Sequence, residues 1–296
     1  MGAPLPPPRR VTRESLEAAP LRCVKRFGSY STVRMQTSSF KWPTSIDVSD
    51  TSGDVLVVDS IYMTVRLFTK DGDYMSMFRV QSGVTSACFT GSGDILVAGP
   101  RGVAIHTSTG DMKQDLPIGH VIAVASTKFG FVAAQRKQLL LFRNNADEPY
   151  RTITKAEKRG PFQSKAFKSI QDVCFNSLKE LVVLDTGSQR VFVISGSGRL
   201  RATVRAHTEP CGSLLAPHSV TCDKWNNILV SDTGNGRLLK FSANGTFSRC
   251  LLNVKLLHEA KHDLSPQGVA VSTTHDRIFV VMTATEQAYV AVYQLT

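Results

Sequence analysis

The feature that most constrains this chain is a repeat. Residues 217–247 read P-H-S-V-T-C-D-K-W-N-N-I-L-V-S-D-T-G-N-G-R-L-L-K-F-S-A-N-G-T-F, and residues 43–74 read P-T-S-I-D-V-S-D-T-S-G-D-V-L-V-V-D-S-I-Y-M-T-V-R-L-F-T-K-D-G-D-Y. Each runs from a proline through an alternating strand, a turn, a strand ending in Asp, a second turn and a strand ending in Phe to a glycine hairpin. The unit recurs in weaker form at 84–116, 118–153, 169–204 and 266–295, with Phe68, His106, Phe142, Val193 and Phe241 marking the third strand at intervals of 36 to 51 residues. A sheet of roughly four short strands cannot bury both of its faces alone. Six such sheets stacked radially can, so the period predicts an all-β chain folded as a six-bladed β-propeller over 22–296. The last unit has three evident strands, while Arg22-Cys23-Val24-Lys25-Arg26-Phe27 stands alone before the first; this segment is expected to supply the missing outer strand and close the ring.

Composition agrees with a compact fold. Hydrophobic residues make up 42% of the 296 and charged residues 20%, which excludes wholesale disorder and coiled-coil architecture. Apolar runs such as Leu139-Leu140-Leu141-Phe142 fall far short of the ~20 residues that cross a bilayer, so a soluble, cytoplasmic protein without a membrane partner is expected. Residues 1–21 are Pro-rich and basic and read as a disordered tail. Six cysteines without a C-x-x-C pair argue against zinc fingers and thioredoxin-type motifs and read as buried thiols. The formal net charge of +11 is large enough to admit polyanionic partners without naming one.

The run Ile228-Leu229-Val230-Ser231-Asp232-Thr233-Gly234-Asn235-Gly236-Arg237-Leu238-Leu239-Lys240-Phe241 resembles the NHL repeat: a strand ending in Val-x-Asp, a Thr-Gly-Asn turn and an Arg-hydrophobic strand before a Gly hairpin. The match is strong at 217–252, good at 43–78 and 169–204, and poor at 84–153, where Gly99 and Ala134 stand near the position held by Asp59, Asp185 and Asp232. Those three aspartates invite comparison with a catalytic carboxylate cluster, but their repeat spacing puts each in its own blade. There each is expected to accept hydrogen bonds from the following turn.

Successive antiparallel strands reverse direction, so the loop entering each inner strand and the loop joining strands two and three share one end of the propeller, where function is expected. This end would gather Trp42, Thr44, His120, Lys168, His218 and Gln267 with Tyr62, Arg101, Arg136, Lys137, Gln189 and Asn235, a basic, aromatic and polar set. The connection 151–168 enters the fourth inner strand and should lie on the same face. It carries Arg151, Lys155, Lys158, Arg159, Lys165 and Lys168 against Glu157, with Phe162 and Phe167 interleaved. Such a segment suits phosphate neutralisation and base stacking; equally, it suits a solvated loop whose phenylalanines tuck against the blades. Related six-bladed propellers hold metal in the central channel, but here only His120 and His218 fall near inner-strand starts, in different blades. No metal, cofactor or catalytic residue is therefore expected.

The resemblance implies two functions. NHL propellers at the C-terminal end of tripartite-motif and related RING ubiquitin ligases select what the ligase engages, which implies a non-catalytic recognition scaffold in ubiquitination. The 21 or so residues before the propeller carry no RING or B-box pattern, so a separate ligase subunit or substrate is the expected protein partner. Other NHL-domain proteins regulate messenger RNA, which with the basic face implies single-stranded RNA binding as the alternative.

Overall fold

The computed structural model describes residues 21–30, 39–80, 83–157, 164–205, 207–208, 212–254 and 263–295. The tail 1–20 and the loop residues Lys158, Arg159 and Phe162 lie outside these described residues.

Six four-stranded antiparallel sheets form a ring. From the channel outwards we call the strands a to d. Blade 1 takes strands a to d from Pro43–Val48, Val55–Asp59, Thr64–Phe68 and Tyr74–Arg79. Blades 2, 3, 4 and 5 follow in chain order over 86–116, 123–153, 170–205 and 219–253. Blade 6 uses Ser265–Ser272, Arg277–Ala284 and Gln287–Gln294, and its outer strand is Cys23–Phe27, antiparallel to Gln287–Gln294 with Phe27 opposite Val290. The chain is thus a six-bladed β-propeller closed by an N-terminal strand, as the repeat predicts. Closure leaves no blade one strand short and covers an edge that would otherwise offer free backbone groups.

The core is a ring of seams. Six hydrophobic clusters form, one between each pair of neighbouring blades. Each strand b is apolar on both faces, as in Val55–Asp59 and Leu181–Asp185, because each face meets a different blade. The ring at the end of strand c anchors the hairpin that follows: Phe68 packs 4.9 Å from Phe27, and Phe241 packs 5.8 Å from Phe247. In the hairpin between strands c and d of blade 5, Gly245 sits at φ +87°, and a Cβ there would fall 2.7 Å from the Thr203 carbonyl of blade 4. Only glycine allows that approach. Its neighbour Asn244, part of an N-x-T sequon, accepts hydrogen bonds from Thr246 N and Ser242 Oγ, so the side chain is engaged in the turn.

Candidate functional site: a basic face and a polar channel

The three strand-b aspartates are fully buried, and their partners extend beyond the following turn. Asp59 accepts from Tyr62 N in that turn at 3.1 Å and also from Lys41 N and Trp42 N in the loop that enters the blade, at 2.6 and 3.2 Å. Asp185 accepts from Ser188 N and from Lys168 N and Ser169 N. Asp232 accepts from Leu215 N and forms an ion pair with Arg237 at 2.5 Å. One carboxylate thus ties the four-residue turn between strands b and c to the incoming chain, which fixes both loops on the same face.

The weak repeats have a different device. Blades 2 and 3 join strands b and c by two residues: Gly99 pairs with Gly102 around Pro100-Arg101, and Gln135 pairs with Gln138 around Arg136-Lys137. The residue equivalent to Asp59 in blade 3 is therefore Gln135, one beyond Ala134; its amide donates to Ile118 O at 2.7 Å. In blade 2 the incoming backbone fills the space itself, since a Cβ on Gly99 would meet Gly83 O at 2.6 Å. A two-residue hairpin leaves no turn amides needing a carboxylate, so the Asp is dispensable, and its two tip residues project.

Those tips are cationic. Arg101, Arg136 and Lys137 are exposed, as are His120 and Lys168 in the loops entering blades 3 and 4. Backbone contacts tie them into one arc across blades 2 to 4: Gly119 N donates to Arg101 O at 3.1 Å, and Ile170 N to Arg136 O at 2.8 Å. Among the described residues no carboxylate lies within ion-pair distance of Arg101, Arg136, Lys137 or Lys168. At the opposite end some cations are paired, Lys113 to Asp94, Lys224 to Asp276 and Arg277 to Asp71 at 2.7, 2.6 and 3.1 Å, while Lys128 and Lys179 there are exposed and in no ion pair among the described residues. Beside the arc, blade 1 exposes Trp42, Ile61 and Met63, at 38%, 54% and 43%. Ile61 and Met63 were not singled out by sequence, although they flank Tyr62 in a turn on the predicted face.

The other expected face residues divide. Tyr62 is half-buried, 5.5 Å from the guanidinium of the fully buried Arg66. Asn235 spends its amide on Ser213 O and Asp232 Oδ2 and is part of the turn. His218 turns inward to the channel mouth, its Nδ1 without a hydrogen bond, and burial pushes its pKa down.

The 151–168 connection runs elsewhere than expected. Lys155–Ala156 pairs with Lys165–Ala166, and Glu157 exchanges backbone hydrogen bonds with Gly198 and Leu200 in the hairpin between strands c and d of blade 4. Its stem, including Lys165, therefore packs beside the outer strands of blade 4, its two short strands paired with each other and Glu157 tied to the c–d hairpin. Phe167 is 3% exposed, 5.9 Å from Phe192 and packed with Ile153 and Ile170 in the blade 3–4 seam. It is a core residue and offers no ring to a partner; among the described residues of the connection, Lys168 returns to the basic face.

The channel carries groups that sequence reading missed. A cavity of about 620 Å³ is lined by inner strands and reaches Asp47, Cys88, Asp172, Cys174 and Cys222. Asp47 Oδ2 accepts from Phe89 N of blade 2, and Asp172 Oδ2 from Val220 N of blade 5, both at 2.8 Å, so each carboxylate joins its blade to the next. Burial pushes Asp47 up to about 7 and Asp172 up to about 6. The available signal was an acid inside an inner strand, flanked by valine, in Ile46-Asp47-Val48 and Gln171-Asp172-Val173. Among the described residues no three His, Cys, Asp or Glu side chains gather as a metal site, and no helix is long and apolar enough to cross a membrane.

Comparison with known proteins adds the fold. No protein-family model and no curated protein sequence matches this chain. Among solved structures it is similar to a catalytically inactive variant of virginiamycin B lyase from Staphylococcus aureus, determined with quinupristin. The TM-score is 0.59 at 12% identity, over 90% of this chain and 84% of the other. This likeness shows a propeller. With 1098 solved chains sharing detectable similarity, the fold is too widely used to carry an activity with it.

Proposed function

We propose that this chain is a non-catalytic recognition propeller that docks an acidic, partly apolar protein surface on the face formed by blades 1 to 4. The observation that carries this reading is the arc of Arg101, Arg136, Lys137 and Lys168, unpaired among the described residues and set beside exposed Trp42, Ile61 and Met63. Cations beside solvent-facing apolar groups suit a protein partner whose anchor residues bury while its carboxylates pair. The NHL resemblance of 217–252 supports a ubiquitin-linked setting, in which the propeller holds a substrate or ligase subunit. Proximity labelling and crosslinking of the full chain in cells tests it. A partner captured by the wild type is lost from both Trp42→Ala and the triple variant Arg101→Glu/Arg136→Glu/Lys137→Glu. Retention by both variants overturns the proposal.

The unpaired arc also favours a second reading, single-stranded RNA. Burial of Phe167 removes one expected stacking ring, which ranks this reading lower. Fluorescence anisotropy with a random single-stranded 20-mer separates the two: RNA binding would weaken steeply between 50 and 200 mM salt and lose slope in the triple variant, on the order of one unit per removed phosphate contact.

A further inference from the structure

The channel wall holds two thiols that touch across a blade seam. Cys174, on strand a of blade 4 (Ile170–Phe175), and Cys222, on strand a of blade 5 (Ser219–Cys222), have their sulfur atoms 3.9 Å apart although 48 residues separate them in the chain. The neighbouring strands are held in register by the hydrogen bond from Val220 N to the Asp172 carboxylate, two residues from each cysteine. Both thiols line the cavity of about 620 Å³ that runs along the inner strands. Among the described cysteines, Cys23 is exposed on the closing strand, Cys88 is buried in the channel wall of blade 2, and Cys250 donates its thiol to Leu252 O; Cys174 and Cys222 contact each other.

We infer that Cys174 and Cys222 form a modification site, a pair that a small peroxide entering the channel oxidises to a reversible disulfide joining blades 4 and 5. A sulfur–sulfur contact needs to close by roughly 2 Å to reach a disulfide bond of about 2.05 Å, a distance that side-chain rotation on adjacent strands can supply. The chemistry is balanced by the peroxide. The sulfur of one thiol attacks a peroxide oxygen, the O–O bond breaks, and the displaced hydroxide leaves as water with the thiol proton; the cysteine becomes a sulfenic acid. The second sulfur then attacks that sulfur and expels its hydroxyl as a second water, taking the second thiol proton. Two thiols lose two electrons in all, and one peroxide gains them. The hydrogen bond to Cys222 and burial push the Cys174 thiol up, so Cys174 is a slow nucleophile at neutral pH. A slow nucleophile responds to sustained oxidant rather than to brief exposure.

The test treats the folded full chain with hydrogen peroxide, alkylates the remaining thiols and maps peptides by mass spectrometry. The expected product is a cross-linked pair of peptides containing Cys174 and Cys222. Dithiothreitol reverses it, it is absent in both Cys174→Ser and Cys222→Ser, and it comes with a rise in melting temperature of several degrees. Alkylated Cys174 and Cys222 after oxidation of the wild type overturn the inference, as does a cross-link joining either one to another cysteine. Because the wild-type chain carries the decisive readout, a folding defect in either variant leaves the test intact.

Discussion

A single carboxylate can work for or against this fold, depending on what surrounds it. Asp47 accepts a backbone hydrogen bond from Phe89, but burial outweighs it and raises its pKa from 3.8 to about 7. The folded state therefore holds that proton more tightly than the unfolded chain, and stability falls as pH rises from about 4 through about 7. Asp172 adds the same sign over a narrower window, from 3.8 to about 6. Each pKa unit corresponds to about 1.4 kcal/mol, a figure that the partial exposure of both side chains reduces. Asp47→Asn keeps an acceptor for Phe89 and removes the charge. It is expected to melt ~2–6 °C above the wild type at pH 8, with the difference vanishing near pH 4, in thermal scans across that range. A variant equally or less stable at pH 8 would show that the carboxylate is well solvated. Asp185 is the contrasting case. It accepts from three backbone N–H groups, and Asp185→Ala leaves them without a partner, an expected cost of about 2–4 kcal/mol by denaturant titration.

At the scale of the element, the difference between strong and weak repeats is a difference in loop length. Four-residue turns in blades 1, 4 and 5 carry the Asp anchor, whereas the two-residue hairpins of blades 2 and 3 do without it. Gln135→Ala should accordingly cost only about 0.5–1.5 kcal/mol, well below Asp185→Ala measured the same way. Equal costs would mean that Gln135 anchors its blade as Asp185 does. The recurring Asp was legible because an acid ending an apolar strand, followed by Thr-Gly after Asp185 and Asp232, is a local pattern. Its contacts to the incoming loop were not, since Trp42 and Asp59 lie 17 residues apart and meet only once the blade is folded. The same holds for Phe167: interleaved with lysines it resembles a stacking residue, and it is burial against Phe192, in the next sheet, that makes it core.

Across the whole molecule, the N-terminal strand does two things: it completes blade 6 and places Phe27 against Phe68 of blade 1, bracing the closing seam. Deleting residues 1–27 would bare the edge of Gln287–Gln294 and remove Phe27 from the seam. Light scattering after size-exclusion chromatography is expected to show aggregation or edge-paired oligomers, together with a melting temperature lower by several degrees. A stable monomer of unchanged melting temperature would contradict the closing role. Charge is also organised at this scale: Arg101, Arg136, Lys137 and Lys168, in no ion pair among the described residues, come together as a basic arc at one end. The arc arises because short hairpins and entering loops from three blades converge, a consequence of strand direction.

The amino-acid order alone determined the strands, the six units, the borrowed outer strand and the face on which Arg101, Arg136, Lys137 and Lys168 emerge. These follow from period-two patterning, turn residues and antiparallel direction, all of which act over a few residues. Tertiary structure alone decided that Asp47 and Asp172 would line a channel, that Cys174 would meet Cys222, and that Phe167 would turn inward. Each of those depends on how one sheet is offset against the next, and that offset is set by side-chain packing between residues tens of positions apart.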